Sequence, residues 1–133
     1  MKELDQQSKT VYLKDYQAPD FIIDHVDLTV ELGEDQTRVL SVLELKKQLK
    51  GKPCTLVLAG ENLELGELKL NDELLDDSHY KVTDTELIIH DVPDIFRLAV
   101  ETFIKPQENL SLEGLYKSSG NFCTQCEAEG FRK

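Results

Sequence analysis

Val26-Asp27-Leu28-Thr29-Val30-Glu31-Leu32, followed by the turn Gly33-Glu34-Asp35-Gln36 and then Thr37-Arg38-Val39, is the stretch whose pattern decides the fold. Apolar residues occupy every second position from Val26 to Leu32, with Asp27, Thr29 and Glu31 between them. A period of two puts the apolar set on one face of a strand and the polar set on the other. From Thr37 to Leu49 the alternation resumes through Val39, Leu43, Leu45 and Leu49. The two arms predict a long β-hairpin. A helix stays open for the second arm, because Leu40, Leu43 and Lys47 also fit a turn-like spacing. The β-branched Thr37, Val39 and Val42 favour the strand.

Outward from the hairpin the pattern stays β. Upstream, Lys9 to Leu13 reads as a short strand, and Pro19 imposes extended or turn geometry before Phe21. Downstream, Cys54 to Ala59 is a short apolar run that suits a strand buried on both faces. Further short runs surround Leu63 to Leu65, Leu68 to Leu70, Leu74, Tyr80 to Val82 and Leu87 to Ile89. Phe96, Leu98, Val100, Thr102 and Ile104 then alternate as far as Pro106. Turn residues recur between these runs, and no stretch reads as a long helix. The expected class is all-β: an antiparallel sandwich, or saddle-like open curved sheets, of about eight or more short strands. Residues 1–8 are expected to be a flexible leader and residues 9–133 a single β domain.

The charge balance narrows the partners. A net charge of −11 in 133 residues leaves no basic face for phosphate, so a nucleic-acid partner is not expected. No run approaches the ~20 apolar residues of a membrane span, and no signal-peptide pattern opens the chain. A cytoplasmic setting is the expectation. Three cysteines, Cys54, Cys123 and Cys126, fit reduced thiols better than a disulfide framework.

Reactive side chains crowd into Ser111 to Arg132. Cys123-Thr124-Gln125-Cys126 has Cys-x-x-Cys spacing. A redox role needs a helix N-terminus after a strand, and a zinc knuckle needs a second pair; neither context is present. Packing as small buried thiols is the favoured account. His25, His79 and His90 match no zinc spacing. If Cys123 to Ala128 is extended, Gln125 and Glu127 share one face. A carboxylate beside an amide oxygen can hold an ammonium group, although two polar residues on a solvent face are also commonplace.

Leu112-Glu113-Gly114-Leu115-Tyr116, with Cys123-Thr124-Gln125-Cys126-Glu127-Ala128-Glu129-Gly130-Phe131-Arg132, resembles the N-terminal domain of bacterial aminopeptidase N, in the gluzincin class of zinc aminopeptidases. Asp15 to Phe21 and Val26 to Thr29 resemble the opening strands of that family, so the similarity runs from about Tyr12 to Arg132. The resemblance implies a saddle-like β domain laid against a thermolysin-like catalytic domain, with a Gln-x-Glu strand reaching the active site. It implies that Glu127 helps bind the substrate's free α-amine and that Gln125 lines the pocket around the first residue. Glu129, Phe131 and Arg132 match in type only and receive no substrate contact.

The family's His-Glu-x-x-His and Gly-Ala-Met-Glu-Asn motifs do not occur in these 133 residues. The resemblance therefore assigns zinc to a full-length parent and no catalytic or metal-binding residue to this chain. The chain is expected to be cut short of its domain's C-terminal end and inactive alone. Its expected partners are a peptide N-terminus and the catalytic domain of the same parent. A self-standing β-sandwich interaction module is the alternative from a different class.

Overall fold

The computed structural model describes residue 10, residues 12–52 and residues 54–125. Among the described residues ten strands form three antiparallel sheets. The hairpin predicted from alternation is β1 (Phe21–Glu31) and β2 (Thr37–Lys47), so the helical option for the second arm falls. The third strand, β3 (Leu56–Ala59), is followed by β4 (Glu64–Leu70), β5 (Glu73–Leu74), β6 (Tyr80–Val82) and β7 (Glu86–Ile89). The long strand β8 (Ile95–Ile104) precedes a 3-10 turn at Pro106–Glu108, and β9 (Gly114–Ser118) and β10 (Asn121–Gln125) close the series. The largest sheet has the order β1-β2-β8-β4-β5, the second β3-β7-β6, and β9 pairs with β10 alone.

The core lies between the first two sheets. Directly opposed residues share a face, and the register sets Leu43 against Leu98, Leu45 against Phe96 and Leu68 against Val100. All six are buried, and Leu56, Ile89 and Val92 close on them from the side of the second sheet. Two register shifts keep this face apolar. In β1 the shift lies between Ile23 and His25, which carries the apolar phase from Phe21 and Ile23 to Val26, Leu28 and Val30. In β4 it lies between Leu65 and Leu68. Each inserts one residue into its strand, as a β-bulge does.

The bulge in β4 has its own chemistry. Glu101 on β8 accepts the Glu67 backbone N–H at 3.2 Å and a bond from Arg38 Nε at 2.6 Å. A Cβ at Gly66 would stand 2.3 Å from Glu101 Oε1, so a side chain there would push the carboxylate out of its present position. The Arg38 bond, followed by the Glu67 amide, holds the Glu101 carboxyl below its ordinary value. A depressed carboxyl stabilises the fold above the ordinary carboxylate range, and that contribution disappears as pH falls through the lowered value. Denaturant midpoints should thus decline on acidification below about pH 4.5, the ordinary value. In Glu101→Gln the decline should be shallower; an unchanged acid profile would remove Glu101 from the account.

Two local expectations are corrected. Of the strand expected over Lys9 to Leu13, Lys9 and Val11 lie outside the described residues, and Leu13 belongs instead to a 3-10 turn, Leu13–Asp15, closed by the Tyr12 and Leu13 carbonyls. The run at Cys54 to Ala59 is not buried on both faces. Leu56 is buried while Val57 and Ala59 are exposed, because the small sheet packs on one side only. In β1, Val26, Leu28 and Val30 share the core-side face with Leu43, Ser41 and Val39, yet they are 48%, 62% and 48% exposed. β1 is the outer strand of its sheet, beyond the reach of the three-stranded sheet.

Candidate functional site

Of the candidate residues, Gln125 is carried by the hairpin of β9 and β10. Ser118 faces Asn121 across a two-residue turn, with Ser119 and Gly120 at φ +50° and +80°. Positive φ at both central positions is the type I′ geometry that matches the twist of a tight hairpin. The register continues through Cys123 opposite Tyr116 and ends with Gln125 opposite Gly114. By alternation Asn121, Cys123 and Gln125 share one face, and Phe122 and Thr124 the other. Gln125 is exposed at the end of the strand. Glu127 lies outside the described residues, as do Cys126, Glu129, Phe131 and Arg132.

The hairpin sits apart from both larger sheets and is tied down by side chains. Lys117 on β9 is ion-paired with Glu34 in the β1–β2 turn, and its ammonium stands 5.1 Å over the Phe122 ring. Gln107 Nε2 donates to the carbonyl of Asp35 in the same turn at 2.7 Å. Asn109 works on the strand's entry: Nδ2 donates to the carbonyls of Glu113 and Leu115 at 2.8 and 2.9 Å. Its Oδ1 accepts from the Ser111 amide at 3.1 Å and the Ser111 hydroxyl at 2.8 Å. Within that loop Leu112 and Gly114 have φ +56° and +71°, so the turn is tight and Gly114 is the residue that adopts it without strain. A cleft of about 150 Å³ opens beside it, lined in part by Asn109, Ser111 and Leu115.

Apart from Cys123, which lies on β10 itself, the other reactive groups described do not converge on the hairpin. Cys123 is half-buried, with its thiol donating to the Asn121 carbonyl at 3.7 Å, and Cys54 is exposed. The expectation of buried thiols fails for Cys123, because a two-stranded sheet leaves its faces partly open. His25 pairs with Asp27 at 3.2 Å and His79 with Asp76 at 3.0 Å, both on the surface. Hydrogen bonds from Ser78, chiefly its hydroxyl, hold the Asp76 carboxyl below its ordinary value. The Gly51 amide, followed by Lys47, does the same for Asp94. Among the described residues no three His, Cys, Asp or Glu side chains come together as a metal site.

Asn109, Lys117 and the hairpin turn are absent from the sequence reading of the site. The Ser119-Gly120 pair between two β-prone runs was the available signal for the turn. Nothing in the sequence pairs Asn109 with carbonyls four and six residues away.

Comparison with known proteins converges on one class. No family model matches the chain. Among solved structures, Legionella pneumophila aminopeptidase A superposes with a TM-score of 0.80 and 32% identity, over 89% of this chain and 14% of that one. An M1 zinc metallopeptidase from Deinococcus radiodurans shares the fold alone, at a TM-score of 0.59 and 15% identity over 76% of this chain and 25% of that one. The class so defined is the N-terminal β domain of the M1 metallopeptidases. Aminopeptidase N of Escherichia coli is 39% identical over 127 residues, 96% of this chain, and that of Caulobacter vibrioides 41% over 124 residues, 93% of this chain. Along nearly its whole length the chain is similar to part of aminopeptidase N, and its fold matches the N-terminal domain of that class. It spans 14% of the length of either relative.

Proposed function

We propose that this chain is the substrate-recognition β domain of a zinc-dependent aminopeptidase that removes single residues from peptide N-termini. The observation that carries the proposal is the side-chain-tethered hairpin that ends on an exposed Gln125, in a chain that aligns to aminopeptidase N over 96% of its own length. That alignment favours an enzyme part over a self-standing interaction module.

An exopeptidase has to recognise the end of its substrate. Glu127, two residues beyond Gln125 and so on its face if the strand continues, supplies a carboxylate for the protonated α-amine. Gln125 offers an amide to the first side chain and lines its pocket. Water activation belongs to the zinc of the full-length chain, which makes the described residues binding elements with no turnover of their own. The exposed apolar row of Val26, Leu28 and Val30 supports a partner, and the remainder of the same polypeptide is the one we assign.

Gln125→Ala in the full-length enzyme should change the order of preference among first residues, read as kcat/KM across a series of aminoacyl anilides. The expected change is about tenfold in the ratio between bulky and small first residues. An unaltered series would remove Gln125 from the pocket.

A further inference from the structure

We propose that Asn109 is a positioning residue for Gln125, and through it a determinant of first-residue specificity; this rests on the assignment of Gln125 to the first-residue pocket. The two carbonyls that Asn109 Nδ2 holds, of Glu113 and Leu115, flank Gly114. Gly114 is the residue opposite Gln125 in the β9–β10 ladder. One side chain thus clamps both sides of the position against which Gln125 is registered.

The loop needs such a clamp. Its backbone turns through two left-handed residues, Leu112 and Gly114, and Leu112 is a branched residue that enters that region only at a cost. Leu110 and Leu112 are 89% and 54% exposed, so packing does not hold the loop. Asn109 is itself half-buried and uses both ends of its amide, with two donated and two accepted bonds. A two-stranded sheet is marginal by itself, so its strand entry depends on such side-chain bonds. Losing the Nδ2 bonds frees the loop to relax, shifts Gly114 and takes the end of β10 with it. The scaffold strands β2 and β8 do not touch these bonds and keep their geometry.

The test uses two variants of the full-length aminopeptidase. Asn109→Asp keeps an acceptor for Ser111 and loses both donors, and Asn109→Ala loses all four bonds; if alanine prevents folding, aspartate carries the test. Amide hydrogen exchange across residues 110–125 should speed up by about tenfold or more in either variant, with β2 and β8 unchanged. Unchanged exchange there, or acceleration spread evenly over the domain, overturns the proposal. The first-residue series should move in the same direction as in Gln125→Ala, and adding Asn109→Asp to Gln125→Ala should change it little further. If Gln125→Ala moves the series and the Asn109 variants do not, Asn109 has no role in specificity. If Gln125→Ala leaves the series flat, the pocket assignment and the specificity half of the proposal both fall, while exchange still decides whether Asn109 holds β10.

Discussion

Replacing Glu127 by alanine in the full-length enzyme should lower kcat/KM for aminoacyl anilides by about a hundredfold or more. The reasoning is electrostatic. In a closed site a protonated amine has left water and depends on one fixed carboxylate, and truncating one partner of such a pair costs about 2–5 kcal/mol. Each ~1.4 kcal/mol is tenfold in kcat/KM, so the middle of that range is somewhat over a hundredfold. Glu127→Gln, which keeps the shape and an acceptor but no charge, should recover part of the loss. Near-normal turnover in Glu127→Ala would remove the residue from substrate recognition.

In the scaffold, the largest effect is expected at Leu98. It is fully buried at the centre of β8, opposite Leu43 on β2 and Leu70 on β4. Three strands and the small sheet surround it, so the cavity left by alanine cannot collapse. Leu98→Ala should lower stability by about 2–5 kcal/mol. Urea unfolding of the chain reads this as a lower midpoint at unchanged slope. Val26 provides the contrast, on the same face of the sheet but uncovered. Val26→Ala should change stability by only about 0.5 kcal/mol, and comparable losses at both sites would contradict the core as described.

Much of this architecture could be read from residues. The alternation of Val26 to Leu32, the turn at Gly33 and the run from Phe96 to Ile104 place the two arms of the long hairpin and the long strand β8. The shift of phase from Ile23 to Val26, and from Leu65 to Leu68, is visible in the sequence and marks the two bulges. Burial was less legible. Alternation shows that Val26, Leu28 and Val30 share a face, but not whether another sheet reaches them. Leu13 shows a second limit, where the last residue of a β-prone run enters a local 3-10 turn.

The site divides in the same way. Gln125 and Glu127 were singled out by chemistry and by resemblance, and the structure puts Gln125 at the exposed end of a strand. What holds that strand was hidden. The Lys117–Glu34 pair spans 83 residues of sequence, and Asn109 acts on main-chain carbonyls that carry no side-chain signature. Such contacts depend on how the hairpin and the β1–β2 turn meet in space.

The most direct test of the central claim is inhibition of the full-length enzyme by an aminoacyl inhibitor and by its des-amino counterpart, in the native protein and in Glu127→Ala. The account predicts that the native enzyme prefers the amine-bearing compound and that the variant loses most of that preference, by about tenfold or more, while its affinity for the des-amino compound changes little. A preference that survives in Glu127→Ala would contradict it and place recognition of the α-amine elsewhere in the enzyme.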